Sequence, residues 1–112
     1  MEALTRYRQV IRDLIDEYAA GPPSSVGEVR SEVIIDEKQD HYELIYAGWV
    51  GNYRVHGSIL HLDIRDGKVW IESDGTHDGI ANRLVEAGIP KDKIVLAFKH
   101  PSMRPHTDFA IA

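Results

Sequence analysis

Six histidines and eighteen carboxylates in 112 residues make metal binding and acid–base catalysis the first chemistries to weigh. His56, His61 and Asp63 lie in one extended stretch, and Glu72 follows across a predicted hairpin, so together they offer two imidazoles and two carboxylates to a divalent cation. Strand alternation puts His61 and Asp63 on one face; His56 joins them only if an extra residue intervenes. His61 opposite Glu72, with Lys68 nearby, is equally a cross-strand polar pair on a solvent face. We prefer that plainer reading, and expect no metal ligand set, no cofactor and no catalytic residue.

The other candidates fail on context. Asp74, Thr76, His77 and Asp78 cluster before an apolar helical stripe, where capping requires the same residue types. An EF-hand loop needs a longer oxygen series closed by a glutamate. Ser58 sits inside an extended run rather than on a strand-to-helix elbow. Gly48 and Gly51 precede more strand, not the helix that a phosphate-cradling loop opens. Asp63 and Glu72 could serve as a nuclease carboxylate pair, but the lysine usual two residues after the second carboxylate is here Asp74. With no cysteine there is no thiolate nucleophile, thiolate ligand or disulfide.

The elements that must carry these residues are legible from periodicity. Leu4, Tyr7, Ile11, Leu14, Ile15 and Tyr18 recur at helical spacing, predicting a helix over about 3–20 that Gly21-Pro22-Pro23-Ser24-Ser25 ends. Val29, Val33 and Ile35, then Tyr42, Leu44 and Tyr46, alternate as two strands around a polar turn from Asp36 to Asp40. Gly51-Asn52 suits a two-residue hairpin, pairing Val50 with Tyr53 and setting Trp49 opposite Arg54, where a cation can lie over the indole. The apolar phase then slips near Gly57-Ser58, so a bulge is expected that returns Val55 to the face of Leu62 and His56 to the face of His61. Asp66-Gly67 predicts a type I′ turn that places Ile64 opposite Val69, Leu62 opposite Ile71, Asp63 opposite Trp70 and His61 opposite Glu72. Ile80, Ala81, Leu84 and Val85 form a second helix, capped by Asp74 or Thr76 and closed by Gly88. Ile94–Phe98 reads as a buried strand, His100–His106 as a mobile loop, and 107–111 as a last strand. This is one α+β domain over residues 1–112, with a mostly antiparallel sheet of meander hairpins.

Thirteen basic against eighteen acidic residues leave a net charge of minus five, which opposes tight direct binding to DNA phosphates. Residues 28–43 concentrate the acid, with Glu28, Glu32, Asp36, Glu37, Asp40 and Glu43 against Arg30 and Lys38, and suit a basic protein partner. Apolar residues make up 43%, with no run long enough to span a bilayer. No export signal is visible at the N-terminus, so a cytoplasmic location is expected. Trp70 falls on the polar face of its hairpin beside Asp63, Lys68 and Glu72: it serves either an interface or an inner layer, if the two helices cover opposite faces of the sheet.

Tyr7-Arg8, Asp40-His41-Tyr42, Gly48-Trp49, Arg54-Val55-His56-Gly57, the hairpin with His61, Asp63, Gly67 and Trp70, then Asp74-Gly75, Gly79, Ala81, Leu96-Ala97-Phe98 and Phe109-Ala110 form a pattern spread over the chain. Together these segments resemble the XisI-like family, controlling factors for excision of the fdxN element. The chain departs from that pattern at His77, where an acidic residue is expected, and at Ser102-Met103. The resemblance implies a non-enzymatic accessory role in programmed DNA excision in filamentous cyanobacteria, beside a separate recombinase and a nuclease-like XisH protein as partner. An antitoxin-like inhibitor of that partner is the alternative, and a small metal-dependent enzyme a weaker one. Candidate surfaces for the partner, or for a homo-oligomer, are Glu32, Asp36, Glu37, Asp63, Trp70, Glu72 and Arg104.

Overall fold

The computed structural model describes residues 2–21 and 27–112, so the expected breaker from Pro22 to Ser25 lies outside the described residues. Helix α1 (Glu2–Ala20) is followed by strands β1 (Glu28–Asp36), β2 (His41–Val50), β3 (Tyr53–Arg65) and β4 (Lys68–Asp74), helix α2 (Ile80–Glu86) and strand β5 (Ile94–Leu96). The strands form one sheet in chain order. The first four pair antiparallel, and β5 joins β4 in parallel after the crossover that parallel pairing requires, here α2. Among the described residues no helix is long and apolar enough to cross a membrane.

Both helices lie on one face of this sheet. Tyr7, Ile11, Leu14 and Ile15 of α1 and Ile80 and Leu84 of α2 share a single buried cluster with Tyr42, Leu44, Leu60, Leu62, Ile64, Val69 and Ile71. The helices also meet each other: Arg83 pairs with Glu17, and the Tyr18 hydroxyl donates to Asp78 at 2.9 Å. The reading in which the helices cover opposite faces is therefore overturned. The outer face carries the polar side chains of His41, Glu43, His61 and Asp63 beside apolar ones such as Ile34, Ala47, Trp49 and Val95, and the C-terminal segment bridges the edge of β5 at Ala110.

Turn chemistry sets the registers as expected. Asp66 and Gly67 hold φ of 53° and 76°, the paired positive values of a type I′ turn, and Ile64, Leu62 and Asp63 oppose Val69, Ile71 and Trp70. Val50 opposes Tyr53, and the Arg54 guanidinium carbon lies 5.2 Å from the centre of the Trp49 ring. The expected bulge is present: Leu44 opposes Leu60 but Ile45 opposes Ser58, which leaves Ile59 as the extra residue.

Three expectations are corrected. A second bulge makes Glu72 the extra residue of β4, because Leu62 opposes Ile71 while His61 opposes Ser73 rather than Glu72. Helix α2 begins later, after Gly79 at φ 82°. Asp74 nevertheless serves it from six residues upstream, its Oδ2 accepting from the Ile80 N–H at 2.9 Å. Third, the last strand shrinks to one parallel bridge between Val95 and Ala110, and Pro101–His106 coils into 3₁₀ turns rather than a loose loop. Arg104 holds this region: its guanidinium donates to the carbonyls of Lys99 at 3.1 Å, Ala97 at 3.3 Å and Ile111 at 3.4 Å.

Candidate functional site

On the outer face, alternation aligns His41 and Glu43 of β2 with Asp63 and His61 of β3 as directly opposed pairs. Their side chains converge. Asp63 Oδ1 lies 3.0 Å from His61 Nε2 and 3.2 Å from His41 Nδ1, and the other nitrogen of His41, Nε2, lies 3.1 Å from Glu43 Oε1. The imidazole rings stand 4.4 Å apart, tilted by 53°. One donor atom from each of His41, His61 and Asp63 falls within 4.8 Å of the other two. All four side chains are partly exposed, from 19% for Asp63 to 32% for His41.

Burial alone would raise the Glu43 carboxyl, but hydrogen bonds from Ser58 and His41 and the charges of the two imidazoles outweigh it and hold it below the ordinary glutamate value. Among the described residues no lysine or arginine forms an ion pair with Asp63 or Glu43; their partners are the two histidines. Elsewhere on the chain a guanidinium does this work, as for Asp40 with Arg8, Glu72 with Arg65 and Glu17 with Arg83.

The four residues weighed from sequence are thus brought together only in part. His61 and Asp63 meet. His56 shares their face but opposes Ala47, four residues along β2 from the partner of His61, roughly 13 Å away. Glu72, displaced by its bulge, reaches Arg65 at 2.8 Å instead. His41 and Glu43 are the members missed. The signal for them was present: continuing the Gly51-Asn52 hairpin through the expected bulge sets His41 opposite Asp63 and Glu43 opposite His61.

The candidate contact residues scatter. Asp63 belongs to the cluster just described. Trp70 is half-buried on the same face; its Nε1 donates to the Arg65 carbonyl at 3.1 Å, and the guanidinium carbons of Arg65 and Arg104 lie 4.3 and 5.7 Å from its ring centre. Arg104, expected as a free anchor, is instead a latch for the C-terminal segment. Glu32 and Asp36 lie on the outer face of β1 on either side of Ile34, which is 43% exposed. Glu32 pairs with its neighbour Arg30 at 3.0 Å, and Asp36 Oδ1 accepts from the N–H groups of Lys38 and Gln39 at 3.0 and 3.2 Å, closing the turn. Glu37 is taken by Arg12 of α1.

A second polar group ties the turn to the helix. Arg8 donates to both oxygens of Asp40 at 2.8 and 3.0 Å, and the Tyr42 hydroxyl donates to Asp40 at 3.0 Å. The Arg8 hydrogen bond holds Asp40 below the ordinary aspartate value, while burial and then the bond to Asp40 push Tyr42 up to about 12.

No curated protein matches the chain. The family described as XisI protein matches residues 1–111. Among solved structures, the fdxN element excision controlling factor XisI from Anabaena variabilis ATCC 29413 is 44% identical, with a TM-score of 0.84 over 98% of this chain and 99% of that one. A XisI-like protein from the same organism is 33% identical, with a TM-score of 0.89 over 97% and 99%. Sequence and fold agree over essentially the whole length, and the chain belongs to the XisI family.

Proposed function

We propose that this protein is a non-catalytic controlling factor for site-specific excision of a DNA element of the fdxN type, acting through contact with a XisH-like protein. The observation that carries this reading is the 44% identity, over nearly all of both chains, to a protein named as the fdxN excision controlling factor. A net charge of minus five argues for a protein partner over direct phosphate contact. The contact surface proposed is the outer side of β1, where Ile34 offers an apolar centre between Glu32 and Asp36; β1 is an edge of the sheet among the described residues, and a sheet edge is a ready template for another chain.

The test is co-purification with a XisH-like protein, followed by titration of the complex. Removing two charges with Glu32→Gln and Asp36→Asn keeps an acceptor oxygen for the turn and should weaken binding most at low salt. Cleavage or excision assays with and without this protein give the sign of its effect, separating an activator from an inhibitor. Absence of any complex, or sub-micromolar binding of the protein alone to duplex DNA in physiological salt, would overturn the proposal.

A further inference from the structure

The cluster of His41, His61 and Asp63 gathers two imidazole nitrogens and a carboxylate oxygen at one point of the outer face. Both nitrogens of His41 face carboxylate oxygens, Nδ1 toward Asp63 and Nε2 toward Glu43. A neutral imidazole carries one N–H and an ionised carboxylate only accepts. If Nε2–H donates to Glu43, the lone pair on Nδ1 confronts an oxygen of Asp63 at 3.2 Å. A second proton on His41 or a metal ion satisfies that pair, and only the metal ion engages a nitrogen of His61 and the same Asp63 oxygen together.

The geometry specifies which kind. A metal with ligand bonds of about 2.0–2.2 Å spaces neighbouring donors roughly 2.8–3.1 Å apart at right angles and roughly 3.3–3.6 Å apart in a tetrahedron. Asp63 Oδ1 stands 3.0 and 3.2 Å from the nearer nitrogens of the two histidines. The donors come from facing strands whose ladder fixes their approach. Glu43 then fills the role that a carboxylate commonly plays behind a metal-bound histidine, accepting the far N–H and setting ring and tautomer. Two imidazoles with one carboxylate favour a borderline ion of the zinc, cobalt or ferrous type over calcium or magnesium, which take oxygen ligands. Partial exposure leaves the remaining coordination positions open to water or to a ligand from outside.

We propose that His41, His61 and Asp63 form a binding site for one borderline divalent transition-metal ion, with Glu43 as the group that orients His41. This departs from the expectation of no metal drawn from sequence, because the residue that completes the set is His41 and not His56. It is independent of the proposed partner.

The experiment uses the full chain freed of metal by a chelator, then titrated with Zn²⁺ and Co²⁺ by equilibrium dialysis and visible absorption. One equivalent should bind, with a Co²⁺ ligand-field spectrum. His41→Ala and His61→Ala should each lower affinity at least about tenfold, and Glu43→Ala by about 10- to 100-fold through the lost orientation of His41. His56→Ala should leave affinity unchanged. Should an alanine variant fail to fold, ring resonances of wild-type protein decide the matter: Zn²⁺ should perturb His41 and His61 while leaving His56, His100 and His106 in place. A proton only, seen as no stoichiometric binding, overturns the proposal, as does binding that survives His61→Ala or that perturbs other histidines alone.

Discussion

The two faces of the sheet are built from the same strands by opposite rules. On the inner face Leu60, Leu62, Val69 and Ile71 are fully buried under both helices, and burial of such side chains contributes about 1.5–3 kcal/mol each. On the outer face their immediate neighbours His61, Asp63 and Trp70 stay partly open: His61 meets Asp63, while Trp70 donates to the Arg65 carbonyl and lies against the Arg65 guanidinium. One face specifies the fold and the other is free to carry chemistry. Exposed pairs of this kind add little stability, so residues there answer to a different constraint.

That contrast is broken most directly by adjacent substitutions in β3. Leu62→Ala should cost about 2–5 kcal/mol in denaturant unfolding, as for other buried leucines, whereas Asp63→Asn should change stability by under about 1 kcal/mol. Equal losses would show that the outer face belongs to the folding core. Next in size, Gly48→Ala should cost about 1–3 kcal/mol, because a Cβ there would sit 2.0 Å from the Glu28 carbonyl oxygen and push β1 away. Faster amide exchange confined to β1 would identify the mechanism.

Asp40→Asn sharpens the comparison at the rim, with a smaller loss that depends on pH. Asn tolerates the positive φ of 52° there, so the change mainly removes charge from the Arg8 and Tyr42 contacts. Because folding lowers the Asp40 pKa, its contribution is complete above the ordinary carboxylate value near about 4 and is lost as pH falls below that through the folded value. Wild-type stability should therefore drop more steeply than that of the variant below about pH 4. The smallest effect expected is from Arg104→Ala, about 1 kcal/mol, with a shift in Trp70 fluorescence as the C-terminal segment loosens. An unchanged spectrum would place the latch elsewhere.

How far the sequence foretold these faces varies with the kind of signal. The first bulge was legible because Ile59 and Leu60 are adjacent apolar residues that cannot both point inward without an extra residue. The second was not, since Glu72 and Ser73 are both polar and no slip in apolar phase marks the spare one. Its position decides whether Glu72 reaches the histidines or Arg65. The closing segment misled for a different reason: Thr107–Ile111 has strand-like composition, but its place is set by a guanidinium bonded to carbonyls at Ala97, Lys99 and Ile111. Such a tie between distant residues leaves no periodicity. The site itself was half visible, because the strand after the Asp36–Asp40 turn was read from its apolar residues Tyr42, Leu44 and Tyr46, and the register that carries His41 to Asp63 was not followed that far.

Ile59, as a spare residue in one strand, acts as a joint where the hairpin of β2 and β3 changes phase by one residue. The tip, bearing Trp49 and Arg54, and the base, bearing His41, Glu43, His61 and Asp63, both take their alignment from Gly51-Asn52, with the one-residue offset at Ile59 between them. In evolutionary terms the tip can exchange residues, and so its choice of neighbour, while the chemistry beyond the joint keeps its aim as long as the turn and the one spare residue are kept.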